Sequence, residues 1–462
     1  MRRTLALVPA SPAPTEGILG TTYRASTIGA FSLIVIAAFE ALAVTTVMPT
    51  ISRELDGLAL YALSFSAPLA SGVIGMVAAG QWSDRHGPRR ALEVAAVVFS
   101  LGLLVCGLAP TMEAFVAGRL LQGLGSGALI AALYVVVGEV YPSALQPAVF
   151  ASFAAAWVLP ALFGPALAAL VADTVGWRWV FLSVIALVGV AAIFVVPALR
   201  MLRPRDEMPE PSARGHRRGL LAWSVVAAAA ALAVDLVGSL DGVRSALVAL
   251  PLVALVVALR PLLPARTLVG GRGLPAVIGT RGMLAASFFC TESYIVFVLQ
   301  EQWGLTAVRA GLALSVVGVV WAVASQAQAR LPRPLSDAAV MSIGSVLLAI
   351  GAVVLLVAVV ADIHPVLATA GYAIGGAGMG FAYPRTGVAT LAASTDADRG
   401  FNSSAVTIAD SLGGAVALSI SGALFAATRR AEGDPFVPVF VLALVLGVVG
   451  VIVARRTASP TS

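Results

Sequence analysis

Two carboxylic acids stand where apolar side chains are expected. Glu40 lies in AAFEALAV near the middle of one apolar run, and Glu292 lies in FFCTESYIV past the middle of another. Desolvation favours the neutral form of a carboxylic acid, so a group placed in this way can exchange a proton when its exposure changes. The chemistry open to the pair is proton exchange or attraction of a cationic ligand. The other reading is a protonated glutamic acid bonded between helices. A third group, Arg119, opens the segment RLLQGLGS, in which Gln122, Gly123 and Ser126 follow at i+3, i+4 and i+7 and form one helical stripe. An arginine at the centre of a membrane helix costs about 2.5–3.5 kcal/mol on insertion scales and faces a cavity or an acid. Arg119 is therefore expected to tune one of the glutamates or to attract an anion, the alternative being a structural arginine bonded to helix carbonyls. Asp235, on a helix expected to be peripheral, and Asp410, near a helix end, are weaker candidates.

Three further stretches have spacings with a physical meaning. In GQWSDRHGPRR, from Gly80 to Arg90, the charged residues Asp84, Arg85, Arg89 and Arg90 are set among Gly80 and Gly87. Gly80 and Asp84 are one turn apart and share a face, so a neighbouring helix can approach at the glycine and meet the carboxylate. Arg85 or Arg89 is expected to pair with Glu139. Pro160 and Pro165, with Gly164 between them, are five apart and should bend their helix. Gly123 and Gly127 form a small-xxx-small pair expected to serve close helix packing, and Trp177 and Trp179 are expected to anchor a helix at the membrane interface.

The elements that position these residues are helices crossing a bilayer. Of 462 residues, 59% are hydrophobic and 11% charged, whereas a soluble domain is nearer half apolar and a quarter charged. Apolar runs long enough to span about 30 Å of hydrocarbon recur along the whole chain. The fold class is all-α integral membrane. Six spans are expected within 28–198, a charged and proline-rich linker at 199–219, two extra spans within 220–263 and six more within 264–456. Residues 1–27 and 457–462 are expected to be cytosolic tails. With the amino terminus in the cytoplasm, Arg85, Arg89, Arg90, the linker, Arg266, Arg272, Arg281, Arg330, Arg333, Arg455 and Arg456 all fall on one side, as the positive-inside rule requires. Arg429 and Arg430 are the exception.

Composition also excludes classes of function. The net charge of +6 sits in short loops, so nucleic acid is not an expected partner. The chain contains no lysine, which rules out a Walker A phosphate loop and Schiff-base chemistry. Cys106 and Cys290 lie in separate apolar runs, and His86, His216 and His364 are scattered over three loops, so no metal site is expected. Few polar groups are available within spans to hold a sugar, which favours an apolar or amphipathic ligand. Candidate lining residues for it are Phe39, Phe65, Trp157, Phe289, Tyr294, Trp321 and Tyr383.

GQWSDRHGPRR resembles the signature loop of the major facilitator superfamily, G-x-x-x-D-R-x-G-R-R, with Pro88 inserted before the basic pair. RLLQGLG resembles the family's R-x-x-Q-G-x-G segment. Gly164 and Pro165 match part of the G-x-x-x-G-P-x-x-G-G motif of its exporters, in which Pro160, Ala168 and Ala169 here replace glycines. GWRWVF, from Gly176, resembles the opening of the family's sixth helix. The six-two-six layout is similar to that of the fourteen-span drug and amphiphile exporters. The resemblance implies a major facilitator fold of two six-helix bundles plus two extra central helices. It also implies that the helix meeting Gly80 and Asp84 is the one beginning near Ser403. The implied activity is proton-coupled export of a hydrophobic or amphipathic small molecule by alternating access, driven by the proton gradient with no cofactor. A lipid-like cargo, or a proton-coupled importer, is the alternative. The expected setting is a bacterial plasma membrane, with both termini cytoplasmic, the chain acting as a monomer, and the bilayer and a small hydrophobic substrate as its partners. The second half departs from the family at AQARLPRPLS, Ala327 to Ser336, where the second signature loop's acid is missing.

Overall fold

The computed structural model describes residues 17–142, 144–202, 219–238, 247–331, 335–395 and 398–458, and among them the chain is helical with no strand. Most of the expected tails and of the 199–219 linker lie outside the described residues. The first seven helices are α1 (Arg24–Glu54), α2 (Tyr61–His86), α3 (Pro88–Leu108), α4 (Met112–Val140), α5 (Gln146–Ala155), α6 (Val158–Val175) and α7 (Arg178–Met201). Two more follow, α8 (Leu220–Gly238) and α9 (Ala249–Leu262). The last six are α10 (Leu274–Glu301), α11 (Ala307–Ala329), α12 (Asp337–Val360), α13 (Pro365–Ala392), α14 (Arg399–Arg430) and α15 (Phe436–Ala454).

Local chemistry sets the helix ends. Thr111, Thr306 and Ser336 cap α4, α11 and α12 by accepting hydrogen bonds from the backbone amides of Ala114, Arg309 and Ala339. Gly87, at φ +81°, ends α2, and Pro88 opens α3 at a position that needs no amide donor.

Among the described residues, twelve helices are long and apolar enough to cross a membrane, against an expectation of fourteen spans. The two others are α9, which has only 14 residues, and α13. The latter is long enough, with 28 residues, but glycines, tyrosines and Arg385 dilute its hydropathy.

Where six spans are expected within 28–198 there are seven helices, because the fifth span is divided in two. α5 ends at Ala155 and α6 begins at Val158, because Pro160 has no amide hydrogen to offer the Ala156 carbonyl. The bend therefore falls one turn before Pro160, while Pro165 stays inside α6.

Small residues set the tightest contacts. A side chain at Gly127 would run into the backbone of Gly72, and one at Gly123 into Pro68, so α2 and α4 pack nearly backbone to backbone. Gly351 with Gly371, and Gly344 with Gly378, do the same for α12 and α13. Gly127→Val is expected to destabilise the protein by about 1–3 kcal/mol, the usual range for overpacking, read as a lower thermal midpoint in detergent. Gly138→Ala, with no atom within 4 Å of the added carbon, is the matched control.

Helices α1 and α10 run in parallel, since Arg53 near the end of α1 bonds Gln300 and Glu301 at the end of α10. The start of α10 is tied to the end of α15 by Gly273 N to Arg456 O, 3.0 Å. One end of the molecule thus holds the start of α1 and the end of α15, and is called the termini end; the opposite one is the far end.

Helix α8 is not peripheral. It packs on both α2 and α14, and Asp235 is buried there, facing Gly422 of α14. Alanine-rich turns let α8 seat closely in that groove, with Ala227, Ala228 and Ala231 buried.

Candidate functional site

Three helices converge on Arg119. Glu40 comes from α1, Ser64 from α2, and Arg119 with Gln122 from one face of α4. Arg119 Nη1 donates to Glu40 Oε1 and to Gln122 Oε1, the latter at 2.6 Å, and its Nε donates to the Ser64 carbonyl at 3.0 Å. All three side chains are buried, Arg119 being 4%, Glu40 7% and Gln122 1% exposed. The guanidinium therefore meets both an acid and a helix carbonyl, which joins the two readings left open for it. The Gln122 amide nitrogen is buried with no hydrogen-bond partner among the described residues. It is a free donor within a cluster that is otherwise satisfied, the sort of group a polar ligand atom can engage.

Glu292 lies apart from this cluster. It is buried on α10, with Tyr372 of α13 as its polar neighbour. Phe288, one turn earlier, stacks on Tyr372 with ring centroids 5.5 Å apart and meets Trp321 of α11 edge-on. Neither glutamate faces acyl chains.

The second half holds an ion pair that sequence reasoning undervalued. Arg281 Nε donates to Asp410 Oδ1 at 2.7 Å, while its Nη1 reaches the Tyr383 carbonyl and Thr386 Oγ1 at 3.2 and 3.0 Å. The Tyr383 hydroxyl donates to Asp410 Oδ2 at 3.0 Å. The guanidinium lies 3.2 Å from the centroid of the Tyr383 ring, a cation–π contact. Arg281, counted among the arginines that set topology, is two turns inside α10, and Asp410 is its partner.

Other expectations meet mixed outcomes. No atom lies within 4 Å of a side-chain position at Gly80 or at Gly400. Helix α14, which starts at Arg399 rather than near Ser403, therefore does not close on Gly80. Arg89 pairs with Glu93 at 3.0 Å, since i and i+4 on α3 place that carboxylate within reach. Trp177 is not an interfacial anchor. It is 2% exposed, donates its indole N–H to Glu54 Oε2 at 2.7 Å and meets Phe115 and Phe181 edge-on. Trp179 is the exposed one. At the departure in the second signature loop, Asp337 supplies a carboxylate just beyond it, bonded by Arg385 Nε of α13 at 2.6 Å.

Toward the far end, aromatic side chains join the first and last sets of helices. The Tyr61 hydroxyl of α2 donates to the Ser293 carbonyl of α10 at 2.8 Å. Its ring lies against Tyr294 and Phe297. Tyr294 and Phe297 in turn pack on Phe425 of α14. Two of the aromatic residues expected to line a cavity, Phe65 and Tyr294, are instead buried in or beside this plug. Arg53 and Glu301 close over it.

A family model described as Major Facilitator Superfamily matches residues 30–384. A "Probable multidrug-efflux transporter" of Mycobacterium tuberculosis is 27% identical over 428 residues, covering 89% of each chain. "Multidrug resistance protein 3" of Bacillus subtilis is 26% identical over 163 residues, 35% of this chain and 32% of that one. Among solved structures, a POT family transporter in complex with 5-aminolevulinic acid superposes with a TM-score of 0.71 at 16% identity, covering 96% of this chain and 99% of the other. A D-xylose-proton symporter does so with a TM-score of 0.65 at 16% identity, covering 93% and 97%.

Proposed function

This chain belongs to the major facilitator superfamily of membrane transporters, and from that premise we propose that it is a proton-coupled exporter of hydrophobic or amphipathic small molecules, working by alternating access in a bacterial plasma membrane. The observation that carries the reading is the buried Glu40–Arg119–Gln122 cluster, an acid and a base held by three helices in the interior of a membrane bundle. A proton taken up by Glu40 removes its charge and weakens its hold on Arg119. That frees α1 to shift against α4, and the shift is what couples protonation to rocking of the two halves, residues 28–198 and 264–456. Glu292, beside Tyr372, is the corresponding acid of the second half.

The arginine distribution favours a cytoplasmic termini end. The aromatic plug at the far end and the open space at Gly80 and Gly400 near the termini end fit an inward-facing state, in which an exporter collects its cargo. Efflux names among the relatives favour the outward direction. The scarcity of Asn, Gln and His within spans favours an apolar cargo over a sugar. No cofactor takes part, the energy source being the proton gradient.

Transport into inside-out proteoliposomes by the parent protein tests the reading. Ethidium and tetraphenylphosphonium are expected to accumulate when the lumen is acidic, to alkalinise the lumen as they enter, and to stop on addition of a protonophore. Accumulation that is indifferent to the gradient would overturn it.

A further inference from the structure

Outside the interior, a surface groove lies between α12 and α15 on the membrane-facing side of the last helices, with a volume of about 520 Å³. Val346 and Ile350 of α12 form one wall, and Leu444, Val448 and Ile452 of α15 form the other. Ile350 and Ile452 are 45% and 53% exposed. Arg455 ends the groove.

We propose that this groove is a binding site for one anionic phospholipid of the leaflet at the termini end, an acyl chain lying along the α12–α15 seam and the phosphate on Arg455.

Length, floor and charge agree on this occupant. From Leu444 to Arg455 the groove follows α15 for eleven steps, about 16 Å at 1.5 Å per residue. That is about half of the ~30 Å hydrocarbon core, the depth of a single leaflet. Its floor is the close approach of Gly447 to Ala349, where an added side-chain carbon would lie 3.3 Å away. The seam is therefore already packed shut beneath the groove, which leaves a shallow apolar channel rather than a socket for another helix.

The two terminal arginines differ in what they hold. Arg456 is turned onto the Val269 and Gly270 carbonyls at 3.5 and 3.4 Å. Arg455 is exposed, and its guanidinium makes no hydrogen bond or ion pair among the described residues. A second protein copy seated on this face would bury that charge without a partner, at a cost of several kcal/mol. A phosphate diester would instead give it charge-assisted, bidentate bonds. The site lies on the lipid-facing surface and is independent of the cargo and of proton coupling.

Native mass spectrometry of the delipidated protein, titrated with phosphatidylglycerol or phosphatidylcholine, tests the proposal. One phosphatidylglycerol is expected to bind more tightly than phosphatidylcholine. Arg455→Gln should weaken phosphatidylglycerol about fivefold, the value of one basic group near an anionic headgroup, and leave phosphatidylcholine unchanged. Val448→Trp, which fills the groove, should weaken both, and Ile350→Trp should repeat this from the other wall if the first variant folds poorly. Glycerol phosphate should not compete, since the chain supplies much of the affinity. Undiminished phosphatidylglycerol binding to Arg455→Gln, or equal competition by glycerol phosphate, would overturn the proposal. So would disulfide-linked dimers of Val448→Cys, which would make the face a protein interface. Drug transport is not read in this experiment, so its failure leaves the transport reading untouched.

Discussion

Glu40→Gln is expected to abolish gradient-driven transport, lowering the initial rate by about a hundredfold or more, a barrier increase of about 2.7 kcal/mol. The variant keeps the shape of the side chain and an oxygen for Arg119 but removes both the charge and the titration. Arg119 then sits 4% exposed with only neutral acceptors, Gln122 Oε1 and the Ser64 carbonyl. Breaking a buried pair from one side costs about 3–5 kcal/mol, and the retained amide oxygen places this case at the lower end. Adding Arg119→Met removes the stranded charge, so the double variant should regain thermal stability while staying inactive. Stability measured in detergent and proton-coupled uptake in proteoliposomes separate the two effects. A Glu40→Gln protein that still moves one proton stream against its cargo at the parent rate would remove Glu40 from the mechanism.

Arg281→Met is expected to produce the second largest effect, a loss of about 2–3 kcal/mol of stability together with most of the transport. The side chains of Arg281 and Asp410 are 14% and 15% exposed, so the pair is not fully dry and the penalty falls below that of a sealed pair. Met would leave Asp410 with the Tyr383 hydroxyl as its remaining partner. Arg281→Lys should not rescue. The guanidinium bonds Asp410 through Nε and both Tyr383 and Thr386 through Nη1, while stacking on the Tyr383 ring, and an ammonium is a point charge that cannot hold this fork. A double-mutant cycle with Asp410→Asn should return a coupling of about 1–3 kcal/mol. Additive effects would mean that the pair is a contact of little energy, and full transport by the lysine variant would mean that only charge is needed.

Several features of the fold and of the site are legible in the residues alone. Apolar runs announce helices because every backbone group must be satisfied within a segment that crosses hydrocarbon, and Glu40, Glu292 and Arg119 stand out because ionisable groups there are costly and rare. Gly123 and Gly127 announce a close contact, but only packing shows that the partner is Pro68 and Gly72 of α2. Arg281 is hidden by its place near a span boundary, where helix ends are least certain and where a topology arginine is expected. Asp235 is misjudged because its helix looks supernumerary. Nothing local indicates that α8 lies in the groove between α2 and α14. The break before Pro160 is a backbone effect, the missing amide leaving the Ala156 carbonyl without its helical donor.

By itself, the order of residues determined that this protein is a bundle of membrane helices with titratable groups inside, since transfer free energy depends on residue type and run length. Which acid meets which base was decided only by tertiary packing. Glu40 and Arg119 are 79 residues apart and Arg281 and Asp410 are 129 apart, and a helix's own periodicity specifies a face without specifying what that face will touch. The same holds for the two ends of the molecule. Closure by Tyr61, Tyr294, Phe297 and Phe425 is a property of how two sets of helices lean on each other, an energy shared among distant side chains and written in no single segment.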